Sequence, residues 1–140
     1  PLGQKVSSST YKERDTRQLK ILLVDDDEIT QLHIQKLMEN QGNTVIIVDN
    51  GRKALEEIQK DEFDCILMDI QLPVMDGLQA TKLIRASKAK FKDIPIIALT
   101  AYAMNGDREK FLEAGMDDYI AKPVDKDELL EVLNRNLSNF

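Results

Sequence analysis

Acidic, hydroxyl and ammonium side chains stand directly after apolar runs at four places in this sequence. Asp25-Asp26-Asp27 follows Ile21 to Val24, and Asp69 follows Cys65 to Met68. Thr100 follows Ile94 to Leu99, and Lys122-Pro123 follows Tyr119 to Ala121. Carboxylates brought together repel one another unless a cation joins them. Mg²⁺ suits such a group, because it takes one or two carboxylates and completes its octahedron with water and phosphate oxygens. A carboxylate can also attack phosphorus and form an acyl phosphate. A threonine hydroxyl can then donate to a phosphoryl oxygen, and a lysine ammonium can balance its charge.

That chemistry needs elements that bring the four places together. The five apolar runs, including Val45 to Val48, are rich in Ile, Val and Leu and do not alternate with polar residues. Such runs read as strands covered on both faces. The fifth, Tyr119 to Ala121, is short and rests on its place in the alternation. Between the runs lie helical patterns. Thr30, His33, Ile34, Leu37 and Met38 make one stripe, with Gly42 as the expected C-cap. Ala54, Leu55 and Ile58 mark a second helix, Leu78, Leu83 and Ile84 a third, and Phe111, Leu112 and Gly115 a fourth. Leu129, Leu130, Val132, Leu133 and Leu137 mark the last, with Asp125 as its N-cap and Glu128 three residues on. Alternating β and α elements imply a parallel sheet with right-handed crossovers. Five units predict a flavodoxin-like (βα)5 three-layer sandwich of strand order 2-1-3-4-5. Ligands of such sheets bind beyond the carboxyl ends of the strands, at the switch point between strands 1 and 3. All four chemical places fall on that edge.

Composition narrows the function. The 140 residues fit one domain, and a hydrophobic content of 42% supports a core. The formal charge is −6, and it is uneven. Residues 1–20 carry five basic and two acidic side chains, leaving 14 basic against 23 acidic beyond them. So acidic a body repels nucleic-acid phosphates and suits metal cations or a basic partner. The single cysteine, Cys65, fits a reducing compartment and reads as a small core side chain. The sequence has no apolar run of membrane-spanning length and no signal-peptide core, so a cytoplasmic domain is expected. Residues 1–19 lack apolar periodicity and read as a tag remnant (Pro1-Leu2-Gly3) and linker, with the folded domain at 20–138.

From Lys20 to about Leu137 the chain resembles a receiver domain of two-component phosphorelays. The resemblance is carried by Ile21-Leu22-Leu23-Val24-Asp25-Asp26 and by Leu67-Met68-Asp69 running on to Pro73-Val74-Met75-Asp76-Gly77. Ala98-Leu99-Thr100-Ala101 and Asp118-Tyr119-Ile120-Ala121-Lys122-Pro123 complete it. It implies that Asp69 is the phosphoacceptor and that Asp25, Asp26, Asp69 and the main-chain carbonyl of Gln71 hold Mg²⁺. It further implies that Thr100 senses the phosphoryl group, that Lys122 contacts it, and that Tyr119 is the aromatic switch. A cis Lys122-Pro123 bond is also implied. Gln71 and Tyr102, two residues beyond Asp69 and Thr100, are expected to influence water access. The expected partners are a histidine kinase or a histidine phosphotransfer protein, with the domain a monomer or weak homodimer. Such a domain assists its own phosphorylation and dephosphorylation.

The stretch from Leu99 to Met104, with Ala114-Gly115-Met116-Asp117-Asp118-Tyr119, is similar in style to receivers of hybrid sensor histidine kinases. A C-terminal receiver of such a kinase is therefore expected ahead of a stand-alone response regulator, and the parent kinase can be membrane-attached.

Plainer roles compete for several of these residues. The Asp run could cap a helix, Thr100 and Lys122 could be loop residues, and Tyr119 could simply pack. His33 reads as a packed, hydrogen-bonded residue, since no phosphoacceptor motif surrounds it. A haloacid-dehalogenase-like phosphatase would want Asp-x-Asp-x-Thr or Val, whereas Ile29 stands where that motif needs its fifth residue. Neither a GxxxxGK loop nor a GxGxxG turn occurs, and no glycine completes an EF-hand after Asp25.

Overall fold

A computed structural model describes residues 18–101 and 107–137. The elements run β1 (Lys20–Val24), α1 (Glu28–Glu39), β2 (Thr44–Val48), α2 (Gly51–Lys60), β3 (Cys65–Asp69) and α3 (Gly77–Ala86). A short 3-10 turn (Lys90–Asp93) follows, then β4 (Ile96–Thr100), α4 (Asp107–Ala114), β5 (Asp118–Ala121) and α5 (Lys126–Asn136). The strands pair in parallel in the order β2-β1-β3-β4-β5, as expected from the alternation.

The three-layer arrangement follows from the twofold alternation of side chains along a strand. Ile21, Leu23, Cys65, Leu67, Ile97 and Leu99 point to one face, where they pack with Ile34 and Met38 of α1 and Leu129, Val132 and Leu133 of α5. Leu22, Val24, Ile66, Met68, Ile96 and Ala98 point to the other, against Ala54 and Ile58 of α2, Ala80 and Ile84 of α3, and Phe111 of α4. Both faces are covered, which is why β1, β3 and β4 read as unbroken apolar runs. Four helices begin on an Asp or Asn cap. Asp27, Asn50, Asp76 and Asp125 accept from the backbone N–H groups of Thr30, Lys53, Gln79 and Glu128. Each such cap contributes about 1 kcal/mol and starts its helix just beyond a strand end.

Boundaries differ from the sequence reading in three places. β4 begins at Ile96 rather than Ile94, because Ile94 ends the 3-10 turn and Pro95 has no N–H for a ladder. Gly42, with φ of 87°, sits in the turn beyond the α1 cap Asn40. Leu19, assigned to the linker, is buried in the core, and its N–H donates to Asn43 Oδ1 at 2.9 Å. Residues 1–17, Tyr102 and Met104 lie outside the described residues. No helix among the described residues is long and apolar enough to cross a membrane.

Two charged side chains tie the far end of the sheet together. Arg85 of α3 donates to the carbonyls of Gly115, Lys92 and Ile94 and to Asp117 Oδ2, at 2.7–2.8 Å. Asp117 Oδ2 also accepts from the N–H of Ile96 at 2.9 Å. Asp118, opening β5, accepts from Arg135 Nε and Asn136 Nδ2 of α5, both at 2.8 Å. Burial works against the ionised Asp118, but the hydrogen bonds from Arg135, Asn136 and the Tyr119 N–H outweigh it and hold its pKa below the usual carboxylate range. A depressed folded pKa gives stability that is present above the unfolded value and lost as pH falls through the folded one. Asp118→Asn should therefore cost about 1 kcal/mol in urea unfolding at neutral pH. The gap from wild type should close as the pH falls below the ordinary aspartate range, whereas a gap independent of pH would mean that charge contributes nothing there.

Candidate active site

β1 and β3 are neighbours, and their carboxyl ends carry the acids. Asp25 is fully buried and Asp69 is 6% exposed, while Asp26 is open to solvent. One carboxylate oxygen from each of the three lies within 4.8 Å of the others. Lys122 reaches in from the end of β5. Its Nζ lies 2.8 Å from Asp25 Oδ2 and donates to Asp69 Oδ2 at 3.1 Å. The contact with Asp25 is a close ion pair, so one ammonium serves both buried carboxylates. Burial pushes the Asp69 pKa up, the charge of Asp25 pushes it further, and Lys122 and the N–H of Gln71 oppose them without cancelling the rise. For Lys122, burial works downward, but its contacts with Asp25 and Asp69 prevail and hold its pKa above the usual value.

Backbone groups fix the acids in place. Asp25 Oδ1 accepts from the N–H of Asp27 at 2.8 Å, and Asp69 Oδ1 from the N–H of Gln71 at 3.1 Å. The loop after Asp69 is held at both ends. Gly77 donates to the carbonyl of Ile70, and Gly51 of α2 donates to that of Met75. Both must be glycine: a Cβ on Gly77 would lie 2.2 Å from the carbonyl oxygen of Asp69, and one on Gly51 would lie 2.5 Å from that of Met75. Between them Val74 takes a φ of 68°, with the N–H of Met75 donating to the carbonyl of Pro73 across it. A β-branched residue there is strained, and its side chain is 76% exposed.

The structure thus brings Asp25, Asp26, Asp69 and Lys122 into one cluster. Thr100 is buried at the end of β4, one residue beyond Leu99, the ladder partner of Asp69, and its carbonyl accepts from the Lys122 N–H at 2.8 Å. Tyr119 is half-buried, with its ring centroid 6.0 Å from that of Phe111. The peptide bond before Pro123 is cis. Asp27 stands apart. Its carboxylate accepts from the N–H and hydroxyl of Thr30, at 3.2 and 2.7 Å, so it caps α1. His33 is exposed at the edge of the helical stripe, not packed within it, and its Nε2 meets the carbonyl of Val124 at 2.7 Å. Sequence reasoning missed Gln31, whose Nε2 donates to the carbonyl of Asp25 at 2.6 Å. Polar residues near a helix start are too common for that contact to have been legible.

The donor set fits a hard divalent cation. It offers only oxygens and concentrates negative charge around the Lys122 ammonium.

The chain as a whole is similar to known proteins. The sequence profile of the response regulator receiver domain matches residues 21–134. A hybrid signal transduction histidine kinase of Dictyostelium discoideum is 42% identical over 127 residues, covering 86% of this chain and 7% of that protein. The sensor protein GacS of Pseudomonas syringae pv. syringae is 42% identical over 120 residues, covering 84% of this chain and 13% of that protein. The chain therefore spans a small part of the kinases it matches. Among solved structures, the receiver domain of a Pseudomonas aeruginosa sensor histidine kinase, with magnesium coordinated in its active-site cleft, superposes with a TM-score of 0.79. It is 43% identical, and the match covers 86% of this chain and 98% of that one. Topology, acidic edge and sequence agree, and the chain belongs to the response regulator receiver domain family.

Proposed function

We propose that this domain takes part in a phosphorelay by accepting a phosphoryl group on Asp69 from a phosphohistidine of a histidine kinase or histidine phosphotransfer protein. The observation that carries the reading is the pairing of buried Asp69 with Lys122 at the switch point of the sheet. An Asp69 carboxylate oxygen forms the new bond to phosphorus as the imidazole nitrogen–phosphorus bond breaks, and the electron pair returns to the imidazole. Lys122 already contacts the carboxylate that is modified, so its charge is in place to balance the phosphoryl oxygens. Asp25, Asp26, Asp69 and the carbonyl of Gln71 would hold Mg²⁺, which supplies further charge neutralisation when bound. Burial of Asp25 and Asp69 limits water at the acid. The kinship with sensor kinases supports a place in a cytoplasmic part of a hybrid histidine kinase.

Phosphorylation of Asp69 would add charge at the end of β3, where the neighbouring strand β4 ends in Leu99 and Thr100. In this reading Thr100 bonds a phosphoryl oxygen, Tyr119 follows, and the α4–β5–α5 face shifts between two conformations.

Treatment with acetyl phosphate and Mg²⁺ should raise the intact mass by one phosphoryl group, and Asp69→Asn should abolish the gain; a phosphorylated Asn variant would end the proposal. Asp26→Asn relieves repulsion, so it should raise the melting temperature of the metal-free protein by a few degrees. It should also shrink the further rise that Mg²⁺ produces in wild type, and equal Mg²⁺ shifts in both proteins would place the metal elsewhere. Thr100→Ala should leave phosphorylation possible while weakening the switch. Losing one hydrogen bond to a charged group, roughly 1.5–3 kcal/mol, changes a two-state ratio by about ten- to a hundred-fold. NMR spectra of wild type and variant loaded with beryllofluoride should differ around Phe111 and Tyr119; identical shift changes would remove Thr100 from the switch.

A further inference from the structure

We infer that His33 is a positioning residue for Lys122, acting through the Val124 carbonyl; the consequence for rate rests on the phosphoryl transfer proposed above. A carbonyl only accepts, so His33 Nε2 carries the proton and donates across the 2.7 Å contact. This bond joins α1 to the segment that leaves β5, 91 residues away in sequence. Val124 is two residues beyond Lys122, and its side chain is buried in the core that also holds Ile34 of α1. The N–H of Lys122 is tied on its other side to the carbonyl of Thr100 at 2.8 Å. Immediately downstream, Asp125 caps α5 through the N–H of Glu128. The lysine loop is thus anchored before and after, and α1 supplies an anchor from outside β4, β5 and α5.

The origin of that anchor gives it a specific role. α1 begins at the acidic edge, with Asp27 as its cap. Two residues before His33, Gln31 donates to the carbonyl of Asp25 at 2.6 Å. One helix therefore holds the main chain of Asp25 with one side chain and the lysine loop with another. The two groups so held face each other across the 2.8 Å contact between Asp25 Oδ2 and Lys122 Nζ. α1 acts as a rigid strut that sets this spacing, and His33 is its link to the lysine. Without that link the ammonium keeps its chemistry and loses its fixed place between the two carboxylates.

The test compares His33→Leu, which keeps bulk and removes the donor, with His33→Gln, which keeps a side-chain N–H donor. Leu37→Ala, one helical turn on, serves as a control that weakens the packing of α1 and keeps the His33–Val124 hydrogen bond. In ¹⁵N-lysine-labelled protein free of phosphodonor, the Lys122 Nζ resonance should move in His33→Leu, return toward wild type in His33→Gln, and stay in place in Leu37→Ala. The rate of Asp69 phosphorylation by acetyl phosphate should fall about two- to ten-fold in His33→Leu, the worth of one lost hydrogen bond. It should recover in His33→Gln. An unmoved Lys122 resonance and a wild-type rate in His33→Leu, even with a lower melting temperature, would overturn the inference and leave His33 a purely structural contact. Equal effects from Leu37→Ala would overturn it too. The resonance is read without any phosphodonor, so a wild-type protein that fails to phosphorylate would sink the proposed function and leave this positioning claim separately tested.

Discussion

Asp25 and Asp69 are buried at the ends of adjacent strands, close enough to repel, and Lys122 lies between them. Much of the local structure keeps that arrangement in place. Taking carboxylates out of water costs several kcal/mol each unless a counter-charge and hydrogen bonds replace the solvent. The N–H groups of Asp27 and Gln71 supply hydrogen bonds, and Lys122 supplies the charge. Each depends on a different local device. The Asp27 N–H is presented by the cap that starts α1, and the Gln71 N–H by a loop held on Gly51 and Gly77. The lysine is presented by a strand end tied to Thr100 and followed by Val124. The sheet order brings the three devices together, because β1 lies against β3 and β3 against β4.

The same electrostatics bear on the proposed transfer of a phosphoryl group to Asp69. An acid whose pKa is raised by burial and by a like charge is held in a poor environment for its negative charge, and bonding it to phosphorus changes that environment. A cation nearby would serve both states of the proposed transfer, against the carboxylates before it and against the phosphoryl oxygens after it. Lys122 has two partners within 3.1 Å in this structure.

The fold was legible in the sequence because β1, β3 and β4 are covered on both sides and leave unbroken apolar runs. Once those runs were ordered, Asp25, Asp69, Thr100 and Lys122 fell on one edge by topology alone. What could not be read has a common physical origin. The bonds from His33 to Val124 and from Arg85 to Gly115 join residues 91 and 30 positions apart through backbone carbonyls, which every residue possesses. No residue type marks such an acceptor. The role of Asp27 stayed open because an aspartate after a strand serves equally as ligand or cap, and only the Thr30 hydroxyl decides it. The start of β4 was misplaced by two residues because Ile94 and Ile96 look alike, while Pro95 between them alters the pairing.

The Arg85 contacts have a mechanical meaning for any shift of the α4–β5–α5 face. Arg85 holds the carbonyls of Lys92, Ile94 and Gly115, and Asp117, which it also grips, bonds the N–H of Ile96. The amino ends of β4 and β5 are thereby pinned to α3. In the proposed switch, a shift begun at the Thr100 end would work against that fixed far edge. In engineering terms, the far edge of the sheet is ground.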